Sequence, residues 1–166
     1  MTASRSERFA RASGDSVLEL NLVRQEAVEA ETRAAPLEAA NESTWATERA
    51  GVRCAGAHMI VDLYGANRLD DATLIENTLR RCAEVAGATL LHMHLHRFEP
   101  NGGITGVAVL AESHISIHSW PERNYAALDI FMCGKARPER CIEVLLDAFS
   151  PRRAEIQELL RGRLND

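Results

Sequence analysis

The segment from Ser113 to Cys133 limits the fold of this chain more than any other. Apolar and polar residues alternate from Ser113 to Trp120, and a second strand-like run extends from Tyr125 to Cys133. Alternation with a period of two is typical of β-strands, and Pro121 ends the first run because proline has no N–H to donate to a sheet. The segment therefore predicts two consecutive strands.

The remaining elements follow from similar patterns. Further strands are predicted at His58–Tyr64, Ala88–Phe98 and Ile104–Ala111, and Asn101-Gly102-Gly103 is the turn between the last two. A first helix is predicted between Asp71 and Gly87, with apolar residues at Leu74, Ile75, Leu79, Cys82 and Val85. A last helix is predicted from Pro138, with apolar residues at Cys141, Val144, Leu145 and Phe149, and Arg153–Leu160 could form a strand or a helix.

This order of elements predicts an α+β fold. Strand, helix, several strands and a final helix are typical of a two-layer αβ sandwich, in which an antiparallel sheet carries the helices on one face. At 166 residues the chain is long enough for one such domain and short for two. We place this domain at residues 51–166.

Residues 1–50 differ in sequence pattern from the rest of the chain and are predicted to be an N-terminal extension. Their apolar residues Val17, Leu18, Leu20, Leu22 and Val23 suggest a helix with one apolar stripe, which Pro36 would interrupt. We favour a mobile or loosely docked extension. The alternative is a helix that covers a sheet edge or a partner subunit.

Composition excludes several classes of function. The net charge of −5 gives no electrostatic footprint for nucleic acid. No apolar run approaches transmembrane length, and no secretory apolar region follows the N-terminus. The four cysteines show no CxxC spacing, which favours reduced thiols. We therefore predict a soluble, cytoplasmic protein without nucleic-acid or membrane partners.

One possible metal site lies on a predicted strand. His92, His94 and His96 alternate with Met93 and Leu95, so their three rings share one face. Such a pattern can present imidazoles to zinc, and a zinc-dependent hydrolase is one alternative. No carboxylate or fourth ligand is identifiable by spacing, so we favour a polar sheet face and predict no bound metal.

The Ser113–Cys133 segment also carries nucleophilic and titratable side chains. Ser113 and His118 are five residues apart, an odd number that puts them on opposite faces of a regular strand and makes a Ser–His pair geometrically poor. Cys133 stands at the end of the next strand, where a lone cysteine is more often a small buried hydrophobe than a catalyst. Lys135 is the only lysine, but no Gly-rich phosphate cradle accompanies it.

A family resemblance accounts for this combination. The run ESHISIHSWPE followed by YAALDIFMCG, within Glu112–Gly134, resembles the self-cleavage and active-site segment of the prokaryotic, pyruvoyl-dependent S-adenosylmethionine decarboxylases. The similarity extends upstream through HMIVDLYG, LIENTLRRCAEVAGATLL and HRFEPNGGITGVAVLAESH, and it covers roughly Gly51–Gly162. A Glu-Ser junction with a histidine five residues on and a cysteine twenty residues on is a highly specific pattern.

The resemblance implies that the chain cuts itself. The Ser113 hydroxyl would attack the Glu112 carbonyl, and cleavage would leave a β chain of residues 1–112 and an α chain of residues 113–166. Residue 113 would become a covalent pyruvoyl group, the cofactor that forms a Schiff base with the substrate amine. By the same resemblance, His118 abstracts a proton during processing, Cys133 donates a proton during turnover, and Thr105 supports processing where the family has serine.

The resemblance also implies a substrate and an assembly. Phe98, Trp120 and Glu122 match substrate-binding positions, and Asp62 stands where the family often has glutamate. The expected reaction converts S-adenosylmethionine to its decarboxylated form and CO₂ for spermidine synthesis, in a dimer of αβ protomers whose substrate-binding residues could cross the interface. Two alternatives stay open: a pyruvoyl-dependent arginine or ornithine decarboxylase of the same fold, and a non-processing regulatory homologue.

Overall fold

The computed structural model describes residues 19–24 and 46–164. Within these ranges it contains nine strands and two α-helices. The strands are β1 (Glu19–Arg24), β2 (Thr47–Arg49), β3 (Val52–Cys54), β4 (Gly56–Tyr64), β5 (Leu90–Arg97), β6 (Ile104–Leu110), β7 (Ser113–Trp120), β8 (Tyr125–Cys133) and β9 (Arg153–Arg161). The helices are α1 (Ala72–Ala86) and α2 (Cys141–Phe149), and a short 3₁₀ turn precedes α2 at Pro138–Arg140.

Seven strands form one sheet in the order β1-β9-β4-β8-β7-β6-β5. All neighbours in it are antiparallel except β1 and β9, which run parallel. Strands β2 and β3 form a separate two-stranded hairpin. The buried residues of the sheet and of both helices belong to one hydrophobic cluster, so the helices cover one face of the sheet. The predicted two-layer α+β sandwich is confirmed.

Local sequence signals explain the first helix. Asp71 has an extended backbone and its carboxylate accepts a hydrogen bond from the Leu74 N–H at 2.9 Å, which caps the N-terminus. That hydrogen bond, together with Arg68, lowers the pKa of Asp71. Gly87 ends the helix with φ 75°, a left-handed conformation that glycine adopts at little cost. Ile75, Leu79 and Cys82 face the core.

The opposite face of the sheet carries most of the polar side chains. Along β8, Ala126, Leu128, Ile130 and Met132 are buried, whereas Tyr125, Ala127, Asp129, Phe131 and Cys133 are half-buried. The same alternation places His114, Ser116, His118 and Trp120 beside them on β7. We call this surface the open face of the sheet.

The helix predicted around Val17–Val23 is wrong over Glu19–Arg24, which form β1 at the edge of the sheet. Leu20 and Leu22 alternate with polar residues in the sequence, as strand residues often do. The pairing of β1 with β9 involves a distant part of the chain that local periodicity cannot reveal. The undecided segment Arg153–Leu160 is a strand. The interruption expected at Pro36 lies outside the described residues.

Candidate active site

The predicted cleavage point lies in a tight turn. Leu110 pairs with Ser113, so only Ala111 and Glu112 connect β6 to β7. Glu112 has φ 58°, in the left-handed region that costs a non-glycine residue about 1 kcal/mol and that glycine or asparagine usually occupies in turns. The peptide bond between Glu112 and Ser113 thus follows a strained backbone position.

Ser113 and Cys133 lie next to each other at the same end of the sheet. The Cys133 backbone N–H donates a hydrogen bond of 3.1 Å to Ser113 Oγ. On the other side of β8, Gly56, the first residue of β4, pairs with Cys133 and lies close against the end of the strand. A Cβ at residue 56 would stand 2.3 Å from the Met132 carbonyl oxygen and 3.0 Å from Cys133 Cα.

The surroundings of Cys133 keep its thiol protonated. Burial raises the pKa of this thiol, the nearby Glu112 carboxylate raises it further, and the Arg49 guanidinium partly opposes both effects. A thiol with a raised pKa holds its proton at neutral pH. It is therefore suited to donating a proton rather than to acting as a nucleophile.

His118 and Thr105 form a second pair, at the other end of the open face. They are opposite one another in the β6–β7 ladder, and Thr105 Oγ1 lies 3.0 Å from His118 Nδ1. When the neutral ring donates its Nδ1–H to Thr105, Nε2 is left without a proton. This is the state that a general base requires.

The structure does not bring Ser113 and His118 together within one chain. Both residues belong to the regular strand β7, and Ser113 is on the side of Ile115 and Ile117. Five residues of extended strand separate them by about 16 Å. Two groups of candidate residues thus occupy opposite ends of the sheet: a junction group of Glu112, Ser113 and Cys133, and a histidine group of Phe98, Thr105, His118, Trp120 and Glu122.

Aromatic side chains dominate the histidine group. Phe98 and Trp120 are large apolar residues that stay 51% and 41% exposed. Trp120 stacks on Tyr125 with ring centroids 5.3 Å apart, and Phe98 meets the His96 ring edge-to-face. Glu122 is exposed in the 3₁₀ turn Pro121–Arg123 that follows β7. An exposed aromatic surface beside a carboxylate suits a ligand with a flat ring and a hydroxyl-rich or cationic part.

Asp62 lies behind this aromatic surface. The Tyr125 hydroxyl donates a hydrogen bond of 2.5 Å to Asp62 Oδ1. Burial and that bond raise the pKa of Tyr125, which keeps the hydroxyl protonated as a donor. Asp62 therefore holds the tyrosine ring on which Trp120 stacks, a connection that the sequence alone does not reveal.

Ser119 holds the loop that follows Phe98. Its hydroxyl donates to the Leu69 carbonyl at 2.8 Å and accepts from the Ile104 N–H at 2.8 Å, and its side chain is buried. Gly103 packs so closely against this residue that a Cβ there would stand 2.8 Å from the Ser119 carbonyl oxygen. This role was not predicted from the sequence, although the position of Ser119 among the apolar residues of β7 could have indicated it.

A further polar cluster on the open face was also missed. Asp129 lies 3.1 Å from His58 Nε2 and accepts a hydrogen bond of 3.4 Å from Ser116. Arg161 lies near the other nitrogen of His58, at 3.2 Å, and above the Phe131 ring. Because these residues come from four strands, only the strand order brings them together.

His92, His94 and His96 do share the exposed face of the edge strand β5. Over the described part of the chain, however, no three His, Cys, Asp or Glu side chains are placed to hold a metal ion. The same part of the chain contains no helix long and apolar enough to cross a membrane.

Comparison with known proteins shows which family this chain belongs to. Residues 57–162 match the sequence model of the family described as S-adenosylmethionine decarboxylase. The chain is 41% identical over 112 residues to the S-adenosylmethionine decarboxylase proenzyme of Thermomicrobium roseum, an alignment that covers 67% of this chain and 97% of that one. The chain belongs to the S-adenosylmethionine decarboxylase family. Membership confirms the family predicted from the sequence.

Other relatives of the family agree. The proenzyme of Methanococcus maripaludis is 44% identical over 114 residues, covering 67% of this chain and 93% of its own length. The crystal structure of the adenosylmethionine decarboxylase from Aquifex aeolicus VF5 superposes with a TM-score of 0.60 at 34% identity, covering 67% of this chain and 93% of that one. Both matches support an S-adenosylmethionine decarboxylase fold for the sheet and helices described above.

Proposed function

We propose that this chain is a self-processing, pyruvoyl-dependent decarboxylase that converts S-adenosylmethionine to decarboxylated S-adenosylmethionine and CO₂, a reaction that supplies spermidine synthesis. In this proposal residues 51–166 form the catalytic domain, and residues 1–50 are an extension that adds β1 to the edge of its sheet and pairs β2 with β3. One observation carries the proposal: the Glu112–Ser113 bond follows a left-handed residue in a two-residue turn, beside the half-buried Cys133.

Self-cleavage starts at Ser113 in this proposal. Its Oγ attacks the Glu112 carbonyl carbon, so that an ester replaces the amide. Loss of the residue 113 α-proton then expels the Glu112 carboxylate, and hydrolysis of the remaining enamine releases ammonia and leaves a ketone at the new N-terminus. Strain at Glu112 favours this route because cutting the chain releases the turn.

The site fits the pyruvoyl group that would result. Residue 113 is half-buried and its side chain is already hydrogen-bonded to the Cys133 backbone, and Gly56 on the far side of β8 lets β4 approach that end of the strand closely. When present, the group supplies an electron sink for the carbanion that decarboxylation produces. The protonated thiol of Cys133 returns a proton to the substrate carbon, a role supported by its raised pKa.

A second copy of the chain completes the site in this proposal. The junction group and the histidine group occupy opposite ends of one sheet, about 16 Å or more apart along β7. Two sheets that pack by their open faces, about a two-fold axis running across the strands, would bring the end of the sheet that carries the junction group of one copy to the end that carries the histidine group of the other. Ser113 starts β7 on the side of Ile115 and Ile117, so it would meet the partner around the end of the strand. His118 and Thr105 of the partner subunit would then serve Ser113.

The substrate assignment rests on the histidine group. Phe98 and Trp120 are both partly exposed aromatic side chains, which suits stacking of an adenine ring and contact with a sulfonium cation, and the exposed Glu122 carboxylate suits ribose hydroxyls. Arginine and ornithine have no aromatic part that would use these rings. Retention of both aromatic residues therefore favours the nucleoside substrate over simpler amino acids.

Release of CO₂ tests the proposal. Purified protein should release CO₂ from S-adenosylmethionine much faster than from arginine or ornithine supplied at equal concentration. A matched Trp120→Leu variant should lose most of the activity toward S-adenosylmethionine. Comparable turnover of arginine or ornithine would overturn the substrate assignment. A chain that stays intact and shows no activity toward any of the three compounds would instead support a regulatory homologue.

A further inference from the structure

We propose that Arg49, a residue of the β2–β3 hairpin, is a positioning residue for the proton donor Cys133. This inference rests on the proposed function, since it assigns a helper to one of its catalytic residues. The hairpin precedes residues 57–162, the part of the chain that matches the family. Arg49 would therefore be a contribution of this chain's own N-terminal region to the site.

The contacts of Arg49 converge on the turn that follows Cys133. Its Nη2 donates to the Ala136 carbonyl and lies 3.5 Å from the Gly134 carbonyl, and its Nη1 lies 3.8 Å from a carboxylate oxygen of Glu139. Gly134 is the residue after Cys133 and has φ 59°, so the chain reverses direction there. One guanidinium thus ties both carbonyls of this turn.

The arginine is held in place rather than loosely extended. Only 15% of its side chain is exposed, and its Nε is buried without a hydrogen-bond partner among the residues that the structure describes. Burying such a polar atom costs free energy, which the contacts to the turn must offset. The turn at Ala50 and Gly51, with φ 50° and 78°, leads the hairpin back so that Arg49 ends β2.

Geometry and charge act together at Cys133. Fixing the Gly134 carbonyl fixes the end of β8, and with it the Cys133 N–H that donates to Ser113 Oγ. The positive charge of Arg49 also opposes the effects of burial and of Glu112 on the thiol pKa. Other charged or titratable groups near this end of the sheet are Lys135, Arg137, Glu158, Arg163, His58, His114 and Arg161.

Thiol titration separates this role from a purely structural one. The rate at which iodoacetamide alkylates Cys133, followed by peptide mass spectrometry from pH 7 upward, reports the thiol pKa in the full chain without any need for decarboxylation. In Arg49→Met, which keeps side-chain length and loses charge, the alkylation midpoint should rise by about half a pH unit or more. Arg49→Lys should keep the midpoint near that of the wild type.

Arg137→Met is the matched control. Arg137 carries the same charge and lies 3.5 Å from the same Glu139, but its side chain is exposed. Its loss should leave the Cys133 midpoint unchanged. If Arg49→Met does not fold, Glu139→Gln provides the opposite test, because removing the carboxylate that neutralises Arg49 should lower the midpoint.

Two results would overturn the inference. If Arg49→Met and Arg137→Met have the same alkylation midpoint, Arg49 has no specific effect on the Cys133 thiol. An alkylation midpoint in Glu139→Gln equal to that of the wild type would likewise count against an effect of Arg49. The basic limb of the kcat profile should move in parallel with alkylation. If the wild type does not decarboxylate S-adenosylmethionine, the proposed function is wrong. The alkylation midpoints would still show whether Arg49 affects Cys133, because they do not depend on decarboxylation.

Discussion

The Cys133 backbone N–H donates a hydrogen bond of 3.1 Å to the Ser113 side chain, which lies twenty residues earlier on the neighbouring strand. This bond joins the residue that would become the cofactor to the residue that would return the proton. It also places both beside the left-handed Glu112, so that cleavage and turnover would share one end of the sheet.

Replacing Ser113 with alanine should prevent self-cleavage, because the variant has no hydroxyl at this position to attack the Glu112 carbonyl. Denaturing gels should show one chain of 18.3 kDa instead of two fragments, and no CO₂ should be released. Ser116→Ala, a change on the same strand, should still be cleaved. Fragments that begin at residue 113 in the Ser113→Ala protein would contradict the assignment.

A mixed dimer tests whether the site is shared between subunits. Neither Ser113→Ala nor His118→Ala should cleave alone, since each lacks one required group. When the two are expressed together, the His118→Ala chain should be cleaved, because its Ser113 would meet His118 of the partner subunit. Two chains with tags of different size allow each to be followed by mass spectrometry. Failure of the mixture to cleave, with mixed dimers present, would argue against sharing.

Thr105 can be tested with a matched pair of variants. Thr105→Val keeps the shape and removes the hydroxyl bonded to His118, so self-cleavage should slow by roughly five- to tenfold, as expected for one lost hydrogen bond of about 1 kcal/mol. Thr105→Ser keeps the hydroxyl and should cleave at close to the normal rate. Equal rates in the two variants would remove Thr105 from processing.

Cys133→Ala should separate processing from turnover. The variant should be cleaved, but its kcat should fall roughly 100-fold because a positioned general acid contributes at least that much. In the wild type, activity should persist above the pH at which an ordinary thiol ionises, since burial and Glu112 raise the pKa of Cys133. Activity should then fall as rising pH removes the thiol proton. A Cys54→Ala control should leave this basic limb in place.

Gly56→Ala should disturb the same end of the sheet from a different strand. The added Cβ would meet the Met132 carbonyl oxygen at 2.3 Å, so β8 must shift and unfolding should become easier by about 1–3 kcal/mol, with slower turnover. Gly87→Ala is a useful contrast, because its Cβ meets nothing within 4 Å and only its φ of 75° opposes the change. That variant should lose stability and keep its kcat.

Local sequence patterns predicted the strands and the helix around the candidate site well. The bounds of β7 and β8 follow from alternation and from Pro121, and Asp71 and Gly87 mark the ends of α1 because capping depends on near neighbours in the chain. The family and the candidate residues Glu112, Ser113 and Cys133 could be predicted because they lie in one contiguous motif, Glu112–Gly134.

Contacts between distant segments could not be predicted. Strand β1 pairs with β9 from the other end of the sequence, and Arg49 meets Gly134 across 85 residues. The odd spacing of Ser113 and His118 predicted only that they face opposite sides of a strand, whereas the grouping of the candidate residues at opposite ends of the sheet required the strand order. Such relationships depend on topology rather than on local periodicity.

The distance between those two groups has a consequence for the life of a newly made chain. If each copy carries only half of what cutting requires, a solitary chain stays whole, and its maturation depends on meeting another. Dilution should then slow activation with a second-order dependence on protein concentration, and a cell would acquire the activity only once the chain has accumulated.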